Sequence, residues 1–133
     1  MTTTVEERTF AADTAVIGMA RRFVRDHVDA AAPHLNAIDD IELAASELVS
    51  NAIEHGAGPD FRVAVAIDDS SVVIEVTSGY VGNSLPQLAQ WDPPSAAAIS
   101  GRGLHLVRTV SDEVWTEIGE ATLLVGCRFK PAL

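Results

Sequence analysis

The sequence predicts an α+β fold, a two-layer sandwich with helices on one face of a mostly antiparallel sheet. Three observations carry this. Two long stretches, from residue 13 to about 32 and from about 36 to 55, repeat apolar residues at helical spacing. Two pairs of shorter segments, in 61–76 and 114–129, read as strand hairpins closed by polar or glycine-containing turns. The element order is strand, two helices, hairpin, long loop, helix, hairpin, which is the pattern of a sheet covered on one side.

Residues 5–10 read as an edge strand. Asp13 or Thr14 caps the first helix, whose stripe is Val16, Met19, Ala20, Phe23 and His27, widened by Ile17, Val24, Val28 and Ala31. Pro33 ends it, having no N–H to continue the ladder. The second helix starts near Asn36, with Asp39 three residues on, and its stripe is Ile38, Ile41, Ala45, Leu48 and Ala52. Glu47, Asn51 and His55 follow at i, i+4 and i+8, stacked beside that stripe, and Gly56 and Gly58 stop the helix. Phe61, Val63, Val65 and Ile67 alternate, as do Val72, Ile74 and Val76 after the turn Asp68-Asp69-Ser70-Ser71. Residues 79–100 lose periodicity, and a loop of that length in a small domain is usually functional. A third helix is expected from about Arg102 to near Val110. A last hairpin pairs Val114–Ile118 with Thr122–Phe129 across Gly119-Glu120.

Composition narrows the function. The 133 residues suffice for one domain, 1–133, with a real core. A net charge of −10 argues against nucleic acid, which needs clustered Lys and Arg. Lys130 is the single lysine, and the local basic cluster is Arg21, Arg22 and Arg25, either a solvated helix face or a docking patch for an acidic protein. No apolar run approaches a membrane span, and the N-terminus lacks the basic and apolar regions of a signal peptide. One cysteine, Cys127, excludes an internal disulfide or a cysteine zinc site. The expected location is cytoplasmic, with no membrane partner.

The chemistry concentrates in two stretches. Glu47 to His55 reads E-x-x-x-N-A-x-x-H, and about fifty residues later comes Ser100-Gly101-Arg102-Gly103-Leu104. An Asn51 carboxamide oxygen can ligate a hard cation such as Mg²⁺ without adding charge. Glu47, one turn away, can accept a proton from an attacking hydroxyl. Gly101 and Gly103 let helix-start backbone N–H groups approach a phosphate, and Arg102 adds a charged contact. His55 either complements the helix C-terminus or belongs to the site. Taken singly each of these residues is ordinary; their order and separation are specific.

Those stretches resemble two motifs of the histidine-kinase-like, gyrase-like ATPase superfamily. Glu47–His55 looks like its N-box, and Ser100-Gly101-Arg102-Gly103-Leu104-His105-Leu106-Val107 like its second glycine box. The whole chain resembles the bacterial anti-sigma-factor serine/threonine kinases of the sporulation and general-stress type, down to Ser111-Asp112-Glu113-Val114 after the last helix. The resemblance implies a Bergerat-type ATP-binding fold and an ATP-dependent protein serine kinase acting through ATP and Mg²⁺. The implied partners are a sigma factor, which such a kinase sequesters, and an anti-anti-sigma protein of STAS type, which it phosphorylates; a homodimer is also admitted. It implies Glu47 as base, Asn51 as magnesium ligand, and His55, Ser78, Gly82, Gly101, Arg102, Gly103 and Leu104 as nucleotide contacts. Residues 83–100 look like the ATP lid.

One departure stands out. The family's first glycine box is D-x-G-x-G, and its Asp binds the adenine amino group. Here the stretch reads Val76-Thr77-Ser78-Gly79-Tyr80-Val81-Gly82. Ser78 or, one register away, Thr77 takes the Asp position, and no basic residue lies between Gly79 and Gly101. The alternative is therefore a non-catalytic interaction module on the same fold with degenerate ATP binding.

Overall fold

The computed structural model describes residues 3–31, 37–80 and 99–130, except for the side chains of 99–104. The elements are β1 (Thr4–Ala11), α1 (Ile17–Ala31), α2 (Ile38–His55), β2 (Ala57–Ile67), β3 (Val72–Gly79), α3 (Ile99–Val110), β4 (Glu113–Ile118) and β5 (Thr122–Phe129). The strands form one sheet in the order β1-β2-β3-β5-β4, and every neighbouring pair is antiparallel. The expected α+β sandwich is the fold observed.

Strand alternation decides which face is covered. Phe61, Val63, Val65 and Ile67 of β2, Val72, Ile74 and Val76 of β3, and Leu123, Val125, Cys127 and Phe129 of β5 are all buried on one face. Against them lie Ala20, Val24 and Val28 of α1, Ile41, Ala44, Ala45, Leu48, Val49 and Ala52 of α2, and Val107 of α3. Full burial of a Leu, Ile or Val is worth about 1.5–3 kcal/mol, so this layer contact supplies the main stabilisation. At the β1 edge Phe10 stacks on Phe61, with ring centroids 5.7 Å apart, and meets Phe23 of α1 edge-on at 6.0 Å. On the opposite face Trp115 lies across Gly126 and donates from Nε1 to Glu75 at 3.2 Å.

Several expectations are corrected. The stripe of α1 centres on Ala20, Val24 and Val28, while Met19 is 49% exposed. Asp13 does cap, accepting from the Ala15 N–H at 2.9 Å, but it opens a 3₁₀ turn, Thr14–Val16, ahead of α1. Ala37 precedes α2 without a side-chain cap; Asn36, Pro33 and most of the 79–100 stretch fall outside the described residues. β2 starts at Ala57 rather than Phe61, because its register against β3 shifts between those residues. Gly58 sits in that irregularity at φ +96°, a left-handed conformation that a side chain would strain.

Candidate nucleotide site

α2 carries Glu47, Asn51 and His55 on successive turns. Their burial differs. Ala44, Leu48, Asn51 and Ala52 share the inward stripe, so Asn51 lies within it rather than beside it, 8% exposed. Glu47 and His55 are half-buried at its margin. His55 Nε2 lies 3.9 Å from Glu54 Oε1.

The C-terminal end of α2 sits on β3. Gly56 is the helix C-cap, and its N–H donates to Ala52 O at 2.9 Å. A Cβ on Gly56 would stand 3.1 Å from Ser78 Cβ. Ser78 thus faces the helix layer, between Phe61 and Leu123 on the adjacent strands, and is 7% exposed. The strand face decides between the two registers left open by the sequence: Ser78, not Thr77, occupies the inward position. Tyr80, half-buried, packs against the core, and its N–H donates to Ala121 O at 2.9 Å.

Polar groups buried in this layer are few. Asn51, Ser71 and Ser78 are the buried polar side chains among the described residues. The Ser71 hydroxyl is taken up by Asp68 Oδ1 at 3.4 Å, within a turn whose carboxylate also accepts the Ser70 and Ser71 N–H groups. Among the described residues, neither Asn51 nor Ser78 makes a side-chain hydrogen bond. The buried side-chain atoms that make no hydrogen bond among the described residues are His55 Nε2, at the end of α2, and Arg128 Nε.

α3 packs against α2, with Val107 fully buried. It starts at Ile99, one turn earlier than expected at Arg102. Gly101 and Arg102 therefore belong to the helix-start N–H groups, and Gly103 lies one residue beyond them. Nothing in the sequence marks Ile99 as the start: the segment before it is alanine-rich, favourable to helix, and the residue preceding it, Ala98, is no capping residue, whereas Ser100 offers a cap just before Gly101. The side chains of Arg102 and Leu104, and all of Gly82, lie outside the described residues.

A cavity of about 250 Å³ opens at the end of the sheet, lined by Thr9, Asp60, Phe61, Arg62, Thr77, Ser78, Gly79 and Thr122. It shares Ser78 with the candidate site but includes neither Glu47 nor Asn51.

A neutral carboxamide oxygen and a half-buried carboxylate one turn apart suit a magnesium-bound triphosphate. Asn51 would hold the cation, and helix-start N–H groups of α3 would take phosphate oxygens. Among the described residues no helix is long and apolar enough to cross a membrane.

Comparison with known proteins bears on the fold and the family. No curated protein matches the chain. A crystal structure of the RsbU and RsbW domains of Rv1364c from Mycobacterium tuberculosis is similar to it, with a TM-score of 0.69 and 21% identity. The match covers 96% of this chain and 32% of that one, so this chain spans about a third of the length of its structural relative. At that identity the likeness is one of fold. A family model, described as the histidine kinase-like ATPase domain, matches residues 10–125. A helix-covered antiparallel sheet, the Asn51 stripe and that match lead to one conclusion: the chain belongs to the histidine kinase-like ATPase domain family.

Proposed function

We propose that this protein is an ATP-dependent protein serine kinase that doubles as an anti-sigma factor. It would sequester a sigma factor in the cytoplasm and phosphorylate a serine of an anti-anti-sigma protein of STAS type. The observation that carries the reading is the α2 arrangement: Asn51, 8% exposed in the inward stripe, stands one turn from the half-buried Glu47. Similarity to a structure containing an RsbW domain supports the branch.

Magnesium-bound ATP supplies the transferable phosphoryl group. Asn51 offers one neutral oxygen ligand to the cation. Gly101 and Arg102 offer helix-start N–H groups to the phosphates, and Gly103 lets the backbone come close. The Glu47 carboxylate takes the proton of the attacking serine hydroxyl, and its position at the margin of the layer leaves it accessible to that hydroxyl. His55, one turn after Asn51, and Ser78 of β3, beside the C-terminal end of α2, would stand toward the base.

The test is phosphate transfer from labelled ATP to the serine of a candidate anti-anti-sigma protein. Glu47→Gln keeps the shape and removes the proton acceptor, so transfer should drop about a hundredfold or more while nucleotide binding persists. Equal transfer by the two forms would remove Glu47 from this role.

A second reading, a non-catalytic interaction module with degenerate ATP binding, is favoured by one observation: Ser78 stands where the resemblance calls for an Asp. In that case the nucleotide would bind weakly or not at all and no phosphate would be transferred.

A further inference from the structure

We infer that the outer face of the sheet carries a second binding site, a recess that takes a small zwitterion of the free α-amino acid class. It goes beyond the nucleotide reading and does not depend on it. Strand register places its members. Thr9 pairs with Arg62 and Arg62 with Thr77, so the three stand in one row across β1, β2 and β3. Phe61, next to Arg62 in the chain, is buried against the helices, so by alternation this row faces the other way. Asp60 shares the face of Arg62, and Gly79, paired with Thr122, shares the face of Thr77. These six residues line the cavity of about 250 Å³ at the end of the sheet. Phe61 and Ser78, whose side chains turn to the helix layer, border it through backbone. The hollow has a local cause. The register of β2 against β3 shifts between Ala57 and Phe61, which takes residues 58–60 out of that ladder. Gly79 adds no side chain to the floor, and a Cβ there would run into the Ala57 carbonyl oxygen.

The charges of the lining fix the ligand class. Asp60 offers a carboxylate that only accepts, and Arg62 a guanidinium that only donates. Two residues apart on one extended strand, their Cα atoms stand about 6.6 Å from each other. Both side chains can therefore close on one molecule whose ammonium and carboxylate are a single carbon apart. Arg62 Nη1 meets Glu7 Oε1 at 3.6 Å, beyond hydrogen-bond length, and both side chains are half exposed, so that pair competes weakly. The hydroxyls of Thr9, Thr77 and Thr122 donate and accept, and serve either end of the ligand. A simple anion would be set against Asp60, and a simple cation against Arg62. A nucleobase would need an aromatic face to stack on, and Phe61, the aromatic residue of the lining, is buried on the opposite side. At roughly 30 Å³ per water the recess has room for about eight, the scale of one small amino acid.

The experiment is titration of the isotope-labelled whole chain with glycine, L-serine and L-glutamine, read from backbone amide shifts, with propionate and ethylamine as singly charged controls. At least one of the three amino acids should shift the amides of Arg62, Thr77, Gly79 and Thr122 and saturate, with half-saturation below about 10 mM. Propionate and ethylamine should bind about tenfold more weakly or worse, because each leaves one charged group unmatched. Asp60→Asn and Arg62→Gln, at exposed positions and confirmed as folded by circular dichroism, should each weaken amino-acid binding about tenfold or more. No saturable shift at these amides with any of the three, up to roughly 50 mM, would overturn the inference. So would binding of propionate or ethylamine as strong as that of the amino acids, since one charge would then suffice. Unchanged binding in either variant would overturn it too. None of these results bears on phosphate transfer, so the kinase reading would stand or fall separately.

Discussion

Gly56 and Ser78 meet where the long central helix runs onto the sheet: a Cβ at Gly56 would come within 3.1 Å of Ser78 Cβ and 2.2 Å of the Ala52 carbonyl oxygen. The second clash is with backbone, which cannot swing aside as a side-chain tip can. Gly56→Ala should therefore distort the last turn of α2, where it meets β3, at a cost of about 1–3 kcal/mol, typical of overpacking. Urea denaturation would check this through a lower midpoint. Because the distorted turn carries His55 and borders Ser78, nucleotide affinity should fall together with stability.

The turn between β2 and β3 gives a pH prediction. Asp68 Oδ1 accepts the Ser70 N–H and the Ser71 N–H, both at 2.8 Å, and the Ser70 hydroxyl at 3.0 Å. Those bonds, the Ser70 backbone bond foremost, hold its carboxyl below the usual carboxylate range. A depressed carboxyl contributes stability above its unfolded value, and that contribution is lost as pH falls through the folded value. Wild-type stability should thus decline on acidification through and below about pH 4, where unfolded aspartate protonates. Asp68→Ala should be less stable at neutral pH and show a shallower acid decline, read as melting temperature across pH 3–7. Parallel curves for the two forms would exclude the effect.

The basic cluster on α1 divides under the structure. Arg25 Nη1 lies 2.6 Å from Glu42 Oε1, and its Nε lies 3.5 Å from Asp29. Its charge is locally balanced. Arg21 and Arg22 are exposed on the same helix and make no ion pair among the described residues. If α1 docks an acidic sigma-factor surface, reversing Arg21 and Arg22 together to Glu should slow association tenfold or more at low salt and less at high salt. Reversal at Arg25 should act mainly on stability, by stranding Glu42. Stopped-flow association rates that are unchanged in the Arg21 and Arg22 double reversal would leave the cluster as solvated surface.

Periodicity made the layers legible. Alternation in Phe61–Ile67 and Val72–Val76, and the stripe of Ile41, Ala45, Leu48 and Ala52, predict both the elements and their buried faces. What periodicity could not supply is anything set by a partner distant in sequence. Met19 fits the α1 repeat yet faces solvent, because helix angle alone does not say where the neighbouring helix ends. Arg25 reads as one of three equivalent cations until Glu42, seventeen residues away, is placed beside it. The early start of α3 and of β2 went unread for a different reason. Gly58 reads as a helix stop and Gly101 and Gly103 as a helix start, but Gly58 lies inside an irregular strand and Gly101 and Gly103 lie inside a helix.

The candidate site was legible in residue type and less so in environment. Glu47, Asn51 and His55 share one helix, as their spacing requires. That Asn51 sits within the buried stripe, and that Ser78 rather than Thr77 faces it across the layer, needed the strand register and the burial of each residue. The approach of Gly56 to Ser78 has no sequence signal beyond a glycine after a helix.

Calorimetric titration of Mg²⁺-ATP against the wild type and Asn51→Ala tests the central claim most directly. The account holds that α2 presents its buried carboxamide to a metal-nucleotide complex. The wild type should bind ATP, and the affinity should drop at least tenfold when Mg²⁺ is chelated. Asn51→Ala should bind weakly whether Mg²⁺ is present or not, while remaining folded by circular dichroism. Binding of equal strength in the two proteins, or in the presence and absence of Mg²⁺, would contradict the site; no binding by the folded wild type would contradict the kinase.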